Sequence, residues 1–196
     1  MAKSTVSKDL RGTQTEKNLV LAYLAESAAY TRYTYYAKQA TKESYFPVAE
    51  VFTETADNEL HHSKVFFKML KGGVVEVPVS VDAGVIADTA SNLKTAMAEE
   101  LKEGVDEYTE AAKVADKEGF PEIAEHFRAI AEIEQHHHDR FERFLKMVED
   151  GTLWKREKPV TWECTVCGYT VVGTEPPVSC PACDHPYQHY ICPDDF

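Results

Sequence analysis

Between about residue 13 and about residue 150, Leu, Ala and aromatic residues are interspersed with Glu and Lys over long stretches free of Gly and Pro. That pattern predicts α-helices. Thr13-Gln14-Thr15-Glu16 has the form of a capping box and starts a first helix that runs to about Lys42. Phe46-Pro47 restarts the chain, with Pro47 expected at a first helical position, and Gly72-Gly73 stops the second helix near Leu70. The β-branched stretch from Val74 to Ala87 carries Pro78 and Gly84 and reads as a long connection. A third helix starts after Asp88 and ends before Gly119; Phe120-Pro121 opens a fourth, which Gly151 ends. Two helical hairpins joined by one long crossover have the topology of an all-α, four-helix, ferritin-like bundle.

From about Lys158 the pattern changes to short β-like pieces such as Tyr169-Thr170-Val171-Val172, then Pro176-Pro177, with paired cysteines. This part is too small for a hydrophobic core of its own, so a metal staple is expected. The predicted organisation is a helical domain over 1–152, followed by a linker and a small, mainly β and loop domain over 153–196.

The hairpins repeat. Phe46-Pro47-Val48-Ala49-Glu50-Val51-Phe52 matches Phe120-Pro121-Glu122-Ile123-Ala124-Glu125-His126-Phe127 with one residue inserted, an offset of 74 before the insertion and 75 after it. The repeat carries chemistry with it. Glu59-Leu60-His61-His62 and Glu134-Gln135-His136-His137 are both E-x-x-H words, 75 positions apart, preceded at 33 and 34 residues by Glu26 and Glu100. Residues three apart share a helix face, so Glu59 projects with His62 and Glu134 with His137. From the turn near Tyr45, Glu26 lies roughly 28 Å back and Glu59 roughly 21 Å forward; the second hairpin gives nearly the same depths. All four carboxylates thus reach mid-bundle, the arrangement of di-iron and di-manganese carboxylate proteins. Glu103, one turn past Glu100 and opposite Ala29 of the first half, is expected as a seventh ligand that breaks the symmetry. A single E-x-x-H word in so acidic a chain would be a solvated surface pair; two with nearly equal lead-in spacing are hard to reach by chance. His61, His136 and His138 are expected to point elsewhere. Four buried carboxylates without metal would repel and titrate high, so metal should stabilise the bundle.

Cys164-x-x-Cys167 and Cys180-x-x-Cys183 form a C-x2-C-x12-C-x2-C pattern that predicts one tetrahedral tetrathiolate metal. Spacing alone does not separate iron from zinc. Gly168 leaves room for backbone N–H groups to approach sulfur, which tunes a redox potential. The fifth cysteine, Cys192, is expected as a free tail thiol. Tyr30, Tyr33, Tyr35, Tyr36 and Tyr108 lie within a few turns of the ligating glutamates, Tyr33 seven residues past Glu26 and Tyr108 five past Glu103. Aromatic residues at helical spacing are core in the first instance, but a hydroxyl there could donate a hydrogen bond to bound peroxide.

The formal net charge of −12 argues against nucleic acid or an anionic membrane as partner. No apolar run approaches a bilayer span, and the N-terminus lacks a signal-peptide pattern, so a cytoplasmic location is expected. No Gly-rich dinucleotide fingerprint is present, so no nicotinamide site is expected in this chain.

The chain resembles the rubrerythrins, a ferritin-like di-iron bundle followed by a rubredoxin-like domain. The resemblance rests on Glu26-Ser27, Arg32-Tyr33, Glu54-Thr55-Ala56-Asp57, Glu59, His62, Ile86-Ala87-Asp88-Thr89, Asn92-Leu93, Glu100, Glu103, Glu134, His137, Cys167-Gly168-Tyr169 and Cys180-Pro181-Ala182-Cys183. It implies two irons in the bundle, bridged by Glu59 and Glu134, with Glu26 and Glu103 on one and Glu100 and His137 on the other. It further implies one iron on the four cysteines, exchange of Glu103 and His62 with redox state, and Tyr33 and Tyr108 beside the site. The implied activity is reduction of hydrogen peroxide to water in oxidative-stress protection, by a homodimer or higher homo-oligomer. Electrons derived from NAD(P)H enter from a reductase or rubredoxin through the cysteine centre. Two other classes compete: iron storage, which needs no electron inlet, and a structural bundle with a zinc ribbon.

Overall fold

The computed structural model describes residues 9–80 and 84–196, apart from the side chain of Glu103. Four long rods form the bundle. The first is α1 (Gln14–Lys42) and the second α2 (Phe46–Met69). The third is continuous but composite: α3 (Thr89–Glu99), a π-helical segment (Glu100–Glu107) and α4 (Tyr108–Lys117). The fourth is α5 (Pro121–Glu149).

The helix starts follow the predicted signals with local differences. Thr13 caps α1 by accepting the Glu16 N–H at 3.0 Å, but the Glu16 carboxylate reaches one residue further back than a capping box requires and takes the Gly12 N–H at 2.7 Å. Tyr45 is the N-cap of α2, so Pro47 occupies the second helical position rather than the first. Its missing N–H costs nothing there, because the first four helical donors have no partner inside the helix. Gly72 and Gly73, both at positive φ, end α2 as expected. Asp88 caps α3, and Asn92 clamps the incoming strand by exchanging two 2.9 Å bonds with the Ala87 backbone. The Asp88-to-Asn92 stretch thus serves the end of the crossover.

The repeat is real, but its extra residue lies elsewhere than the sequence match indicated. Ser44 and Gly119 both adopt positive φ, and the next residues, Tyr45 and Phe120, cap α2 and α5. Tyr45 N bonds Ala40 O at 2.9 Å, and Phe120 N bonds Ala115 O at 2.8 Å. Tyr45, not Phe46, is therefore the equivalent of Phe120, at an offset of 75. The step from 74 to 75 occurs between Glu100 and Tyr108, inside the π segment. A π-helix is what an α-helix becomes when one residue is inserted without breaking the rod.

The core is split into two apolar layers. One gathers Tyr33, Phe52 and Phe141, with Tyr33 5.4 Å from Phe141 and 5.9 Å from Phe52. The other gathers Tyr108, Phe127 and Phe66, with Phe66 5.4 Å from Tyr108 and 5.0 Å from Phe127. Each aromatic of the first trio is a repeat partner of one in the second. Between the trios lies a layer of buried polar side chains.

After α5 the chain forms three short strands, β1 (Val160–Cys164), β2 (Thr170–Gly173) and β3 (Tyr190–Ile191), paired antiparallel in the order β2-β1-β3. Trp162 and Tyr190 are fully buried there with Cys164, Cys180 and Cys192. This unit rests on the bundle end. Trp154 stacks on Tyr45, His189 on Phe46, Phe196 meets Phe144 edge-on, and Arg156 pairs with Asp195. Cys192 is a free thiol, as expected, but it is packed in the small core and is no exposed tail group.

Gly104, in the π segment, packs directly against Glu134 of the fourth rod. A Cβ there would stand 2.4 Å from Glu134 Cβ and Cγ. Gly104→Ala is expected to destabilise the bundle by about 1–3 kcal/mol through overpacking, read from chemical denaturation. An unchanged midpoint would show that the two rods separate freely at this level.

Candidate metal centres

Six ligand-type side chains meet in the polar layer: Glu26 from α1, Glu59 and His62 from α2, Glu100 from the third rod, Glu134 and His137 from α5. All six are at most 8% exposed. They form two overlapping groups, Glu26, Glu59, His62 and Glu134, and Glu59, Glu100, Glu134 and His137. Glu59 and Glu134 belong to both. His62 Nδ1 lies 3.0 Å from Glu59 Oε2, 2.9 Å from Glu134 Oε1 and 3.9 Å from Glu26 Oε2. His137 Nδ1 mirrors it, 2.7 Å from Glu134 Oε2, 3.1 Å from Glu59 Oε1 and 3.9 Å from Glu100 Oε1. His61 and His136 are exposed, and His138 turns to the Met97 carbonyl at 2.8 Å, as expected for histidines off the site.

The tyrosines cross over. Tyr33 donates to Glu100 Oε1 at 2.6 Å, and Tyr108 donates to Glu26 Oε1 at 2.6 Å. Each hydroxyl ties one oxygen of the outer carboxylate of the opposite half. Their 75-residue separation was a readable signal that they belong to the repeat. Glu26 precedes Tyr33 by seven residues, whereas Glu100 precedes Tyr108 by eight. The one-residue difference falls in the π segment, which also contains Glu103. Ala29 and Gly104 line the same cavity and share the later offset, so Ala29 is the equivalent of Gly104. Glu103 has no counterpart in the first half, contrary to its expected pairing with Ala29. Its side chain lies outside the described residues.

The layer's charge shows what it is built to hold. Burial, then the charges of Glu59 and Glu134, push the Glu26 and Glu100 carboxyls well above the ordinary range. Burial opposes ionisation of Glu59 too, but hydrogen bonds from His137 and His62 outweigh it and hold this group at about 2. Burial works against a charge on His62, yet bonds to Glu134 and Glu59 lift it to about 9, and His137 is raised in the same way. Metal-free, the layer is thus balanced by protons: two neutral outer acids, two central carboxylates, two imidazolium rings. Neither Glu59 Oε1 nor Glu134 Oε1 takes a well-aligned hydrogen bond. Carboxylate and imidazole donors converging on two adjacent points suit a pair of divalent iron-type cations.

A cavity of about 20 Å³ opens beside these groups, lined by Glu26, Tyr33, Glu59, Glu100, Tyr108 and Glu134 among others. That is room for about one water-sized molecule. The Arg32–Glu99 ion pair stands at its wall.

The second centre is built from two matching turns. Gly168 N bonds Cys164 O at 2.8 Å and Asp184 N bonds Cys180 O at 2.9 Å; Cys164 N bonds Tyr169 O at 2.9 Å and Cys180 N bonds His185 O at 2.8 Å. Gly168 and Asp184 both adopt positive φ, so Gly168 is required for its backbone angle more than for space. Cys164 Sγ lies 3.8 Å from Cys183 Sγ, and Cys167 Sγ 3.6 Å from Cys180 Sγ. A tetrahedron with metal–sulfur bonds of about 2.3 Å has edges of about 3.8 Å. Backbone N–H groups of Tyr169, Ala182, Cys183 and His185 point at the sulfurs.

Raised groups retain protons that the unfolded chain releases. Their stabilisation of the metal-free bundle is complete below the ordinary values, 6.5 for His62, and is lost as pH climbs through about 9. Glu59 acts in the opposite sense, and its contribution is lost only as pH falls toward about 2. The metal-free Tm is therefore expected to fall from pH 6.5 to 9, and the metal-loaded Tm to hold. Loading two divalent ions should release up to four protons, from Glu26, Glu100, His62 and His137. A pH-stat titration without proton release, or a flat metal-free Tm, would contradict this balance.

Comparison with known proteins agrees with this architecture. The family model described as rubrerythrin matches residues 17–145 and 91–163, and that described as the rubredoxin-like domain of rubrerythrin matches 162–191. The chain is 43% identical over 188 residues to a rubrerythrin of Porphyromonas gingivalis, covering 96% of this chain and 94% of that one. It is 42% identical to a rubrerythrin of Nitratidesulfovibrio vulgaris, covering 93% and 96%. Among solved structures, fully reduced, all-ferrous nigerythrin superposes with a TM-score of 0.63 at 26% identity, covering 95% of this chain and 90% of that chain. With its two carboxylate–histidine groups and its four-cysteine cluster, the chain belongs to the rubrerythrin family of oxidoreductases and carries that family's di-iron carboxylate site and rubredoxin-like four-cysteine site.

Proposed function

We propose that the protein is a non-haem di-iron peroxidase that reduces hydrogen peroxide to water and protects against oxidative stress. The observation that carries this is the joining, in one chain, of a two-metal carboxylate layer beside a water-sized cavity with a closed tetrathiolate centre. Two irons in the layer would supply together the two electrons that cleavage of a peroxide O–O bond consumes. The four cysteines hold a single iron with no open position, which suits electron transfer and leaves substrate chemistry to the bundle.

The residues divide as follows. Glu59 and Glu134 bridge, since each belongs to both ligand groups. Glu26 would hold one iron together with His62 or Glu103, the pair that would alternate there, and Glu100 and His137 would hold the other. Tyr33 and Tyr108 orient the outer carboxylates through their 2.6 Å bonds and can turn a hydroxyl toward a molecule in the cavity. The domain boundary falls near residue 152, between α5 and the small sheet. The two protons that complete two waters enter past these polar groups.

The protein is assigned to the cytoplasm as a homodimer or larger homo-oligomer, supplied by a separate NAD(P)H-dependent reductase or a rubredoxin. One distance favours assembly. The cysteine unit rests on Phe46 at the start of α2, and Glu59 lies 13 residues further along, roughly 20 Å away. A second subunit could bring its cysteine centre closer to the layer than this chain's own.

Iron analysis with an optical spectrum before and after peroxide tests the proposal. Three irons per chain are expected, one for each ligand group, with rapid oxidation of the reduced protein by peroxide. Zinc alone, with no visible absorption, would leave a structural bundle. Cys164→Ser should abolish reductase-driven turnover yet spare direct oxidation of the reduced bundle by peroxide; retained reductase-driven turnover would favour iron storage. Glu103→Ala is expected to slow turnover about 10–100-fold, the usual cost of losing a group that tunes a metal. Normal turnover would remove Glu103 from the cycle.

A further inference from the structure

The two halves of the polar layer are nearly superimposable, but the outward sides of their histidines differ. Both imidazoles present Nδ1 to the carboxylates. An imidazole that binds a metal through Nδ1 carries its proton on Nε2, and an acceptor placed there fixes tautomer and ring angle. Behind His137 that acceptor exists: Asn58 Oδ1, reaching across from α2, lies 3.2 Å from His137 Nε2. Asn58 directly precedes Glu59 and is half-buried. The residue that directly precedes Glu134 is Ile133, an apolar side chain 37% exposed. Among the described residues no acceptor meets His62 Nε2.

We propose that Asn58 is a positioning residue that holds His137 as a permanent ligand, and that Ile133, by offering no acceptor, leaves His62 free to engage and release. This rests on the ligand assignment above. It supplies a reason, within this chain, for the exchange to occur on the His62 side. In that assignment Glu103 is the alternative carboxylate on this side, and the missing acceptor gives His62 a ring that turns without breaking a bond at Nε2. The His137 ring must break its bond to Asn58 to turn away.

The test uses the full-length chain loaded with zinc, which is diamagnetic and binds without redox chemistry, with Asn58→Leu, Asn58→Asp and Ile133→Asn. Zinc titration of wild type should fill two bundle sites. Asn58→Leu should weaken one of them about 10–100-fold and leave the other and the cysteine site unchanged. Asn58→Asp, which keeps an acceptor, should restore the affinity. By proton NMR, zinc-loaded wild type should show one slowly exchanging imidazole Nε2–H, absent in Asn58→Leu, and Ile133→Asn should add a second from His62. Wild-type affinity together with a retained N–H signal in Asn58→Leu would overturn the proposal. So would equal weakening of both sites, or lost thermal stability without selective weakening, since each assigns Asn58 to packing alone. A second N–H signal already present in wild type would overturn the claim for His62. Wild-type protein that takes up no pair of ions in the bundle would overturn the ligand assignment itself, and this inference with it.

Discussion

Four carboxylates and two imidazoles at one level, closed off above and below by aromatic trios, cannot all carry their solution charges. Desolvation penalises each ion, and the carboxylates repel one another. The layer needs positive charge at two points about equally distant from Glu59 and Glu134. In the metal-free chain, protons on the outer acids and the two rings provide it. Divalent ions at the same points would displace those protons and give the free lone pairs a partner. Much of the surrounding structure follows from that constraint. Phe52 and Phe141 on one side, and Phe66 and Phe127 on the other, keep bulk water out. Tyr33 and Tyr108 place one hydroxyl on each outer carboxylate, where an unpaired buried oxygen would be costly. Ala29 and Gly104 keep side-chain bulk out of the cavity wall.

A duplicated hairpin supplies two equal half-sites, and equal half-sites would treat two metals alike. Two local departures make them unequal. One is the residue inserted in the third rod, taken up as a π segment that contains Glu103. The other is the Asn58 and Ile133 pair behind the histidines. The matching aromatic trios and the matching turns before Tyr45 and Phe120 persist in both halves, so the differences stay local to the π segment and to a few side chains. Packing therefore tolerates the asymmetry, and the chemistry of the layer receives it.

The ligand layer was legible because its members lie three apart on a helix or recur at a fixed offset, and because cysteine pairs at knuckle spacing have few other uses. Helix ends were legible from Gly, Pro and capping residues. What stayed hidden depends on relations between helices, or on backbone geometry that composition does not encode. Spacing along α1 puts Tyr33 near Glu26, yet its hydroxyl bonds Glu100 on another rod, because facing is set by packing and not by sequence distance. The likeness of Phe46-Pro47 to Phe120-Pro121 misplaced the insertion, since proline is equally tolerated at either of the first two helical positions. Glu-, Lys- and Gly-containing sequence serves α and π turns alike. Only the unequal spacing, seven residues from Glu26 to Tyr33 and eight from Glu100 to Tyr108, marked the π segment. Cys192 looked like a tail group because short strands such as Tyr190–Ile191 leave little pattern.

The two centres differ in what they leave open, and the difference divides their labour. In the bundle, each outer glutamate has one oxygen tied by tyrosine, the bridging glutamates have oxygens without aligned donors, and a water-sized cavity adjoins them. Such a site has room for a reactant and for ligand exchange. In the small domain, the Cys164–Cys183 and Cys167–Cys180 sulfur pairs stand near a tetrahedral edge length, and backbone N–H groups point at Cys167, Cys180 and Cys183. A metal held by all four sulfurs would have no vacant position, which suits it to holding the fold or changing charge by one electron. A pure staple would be sufficient for a unit this small, since Trp162 and Tyr190 supply its only large buried side chains. The N–H···S bonds add something a staple does not need. They lower the cost of the extra negative charge on a reduced tetrathiolate, which would ease reduction of an iron held there.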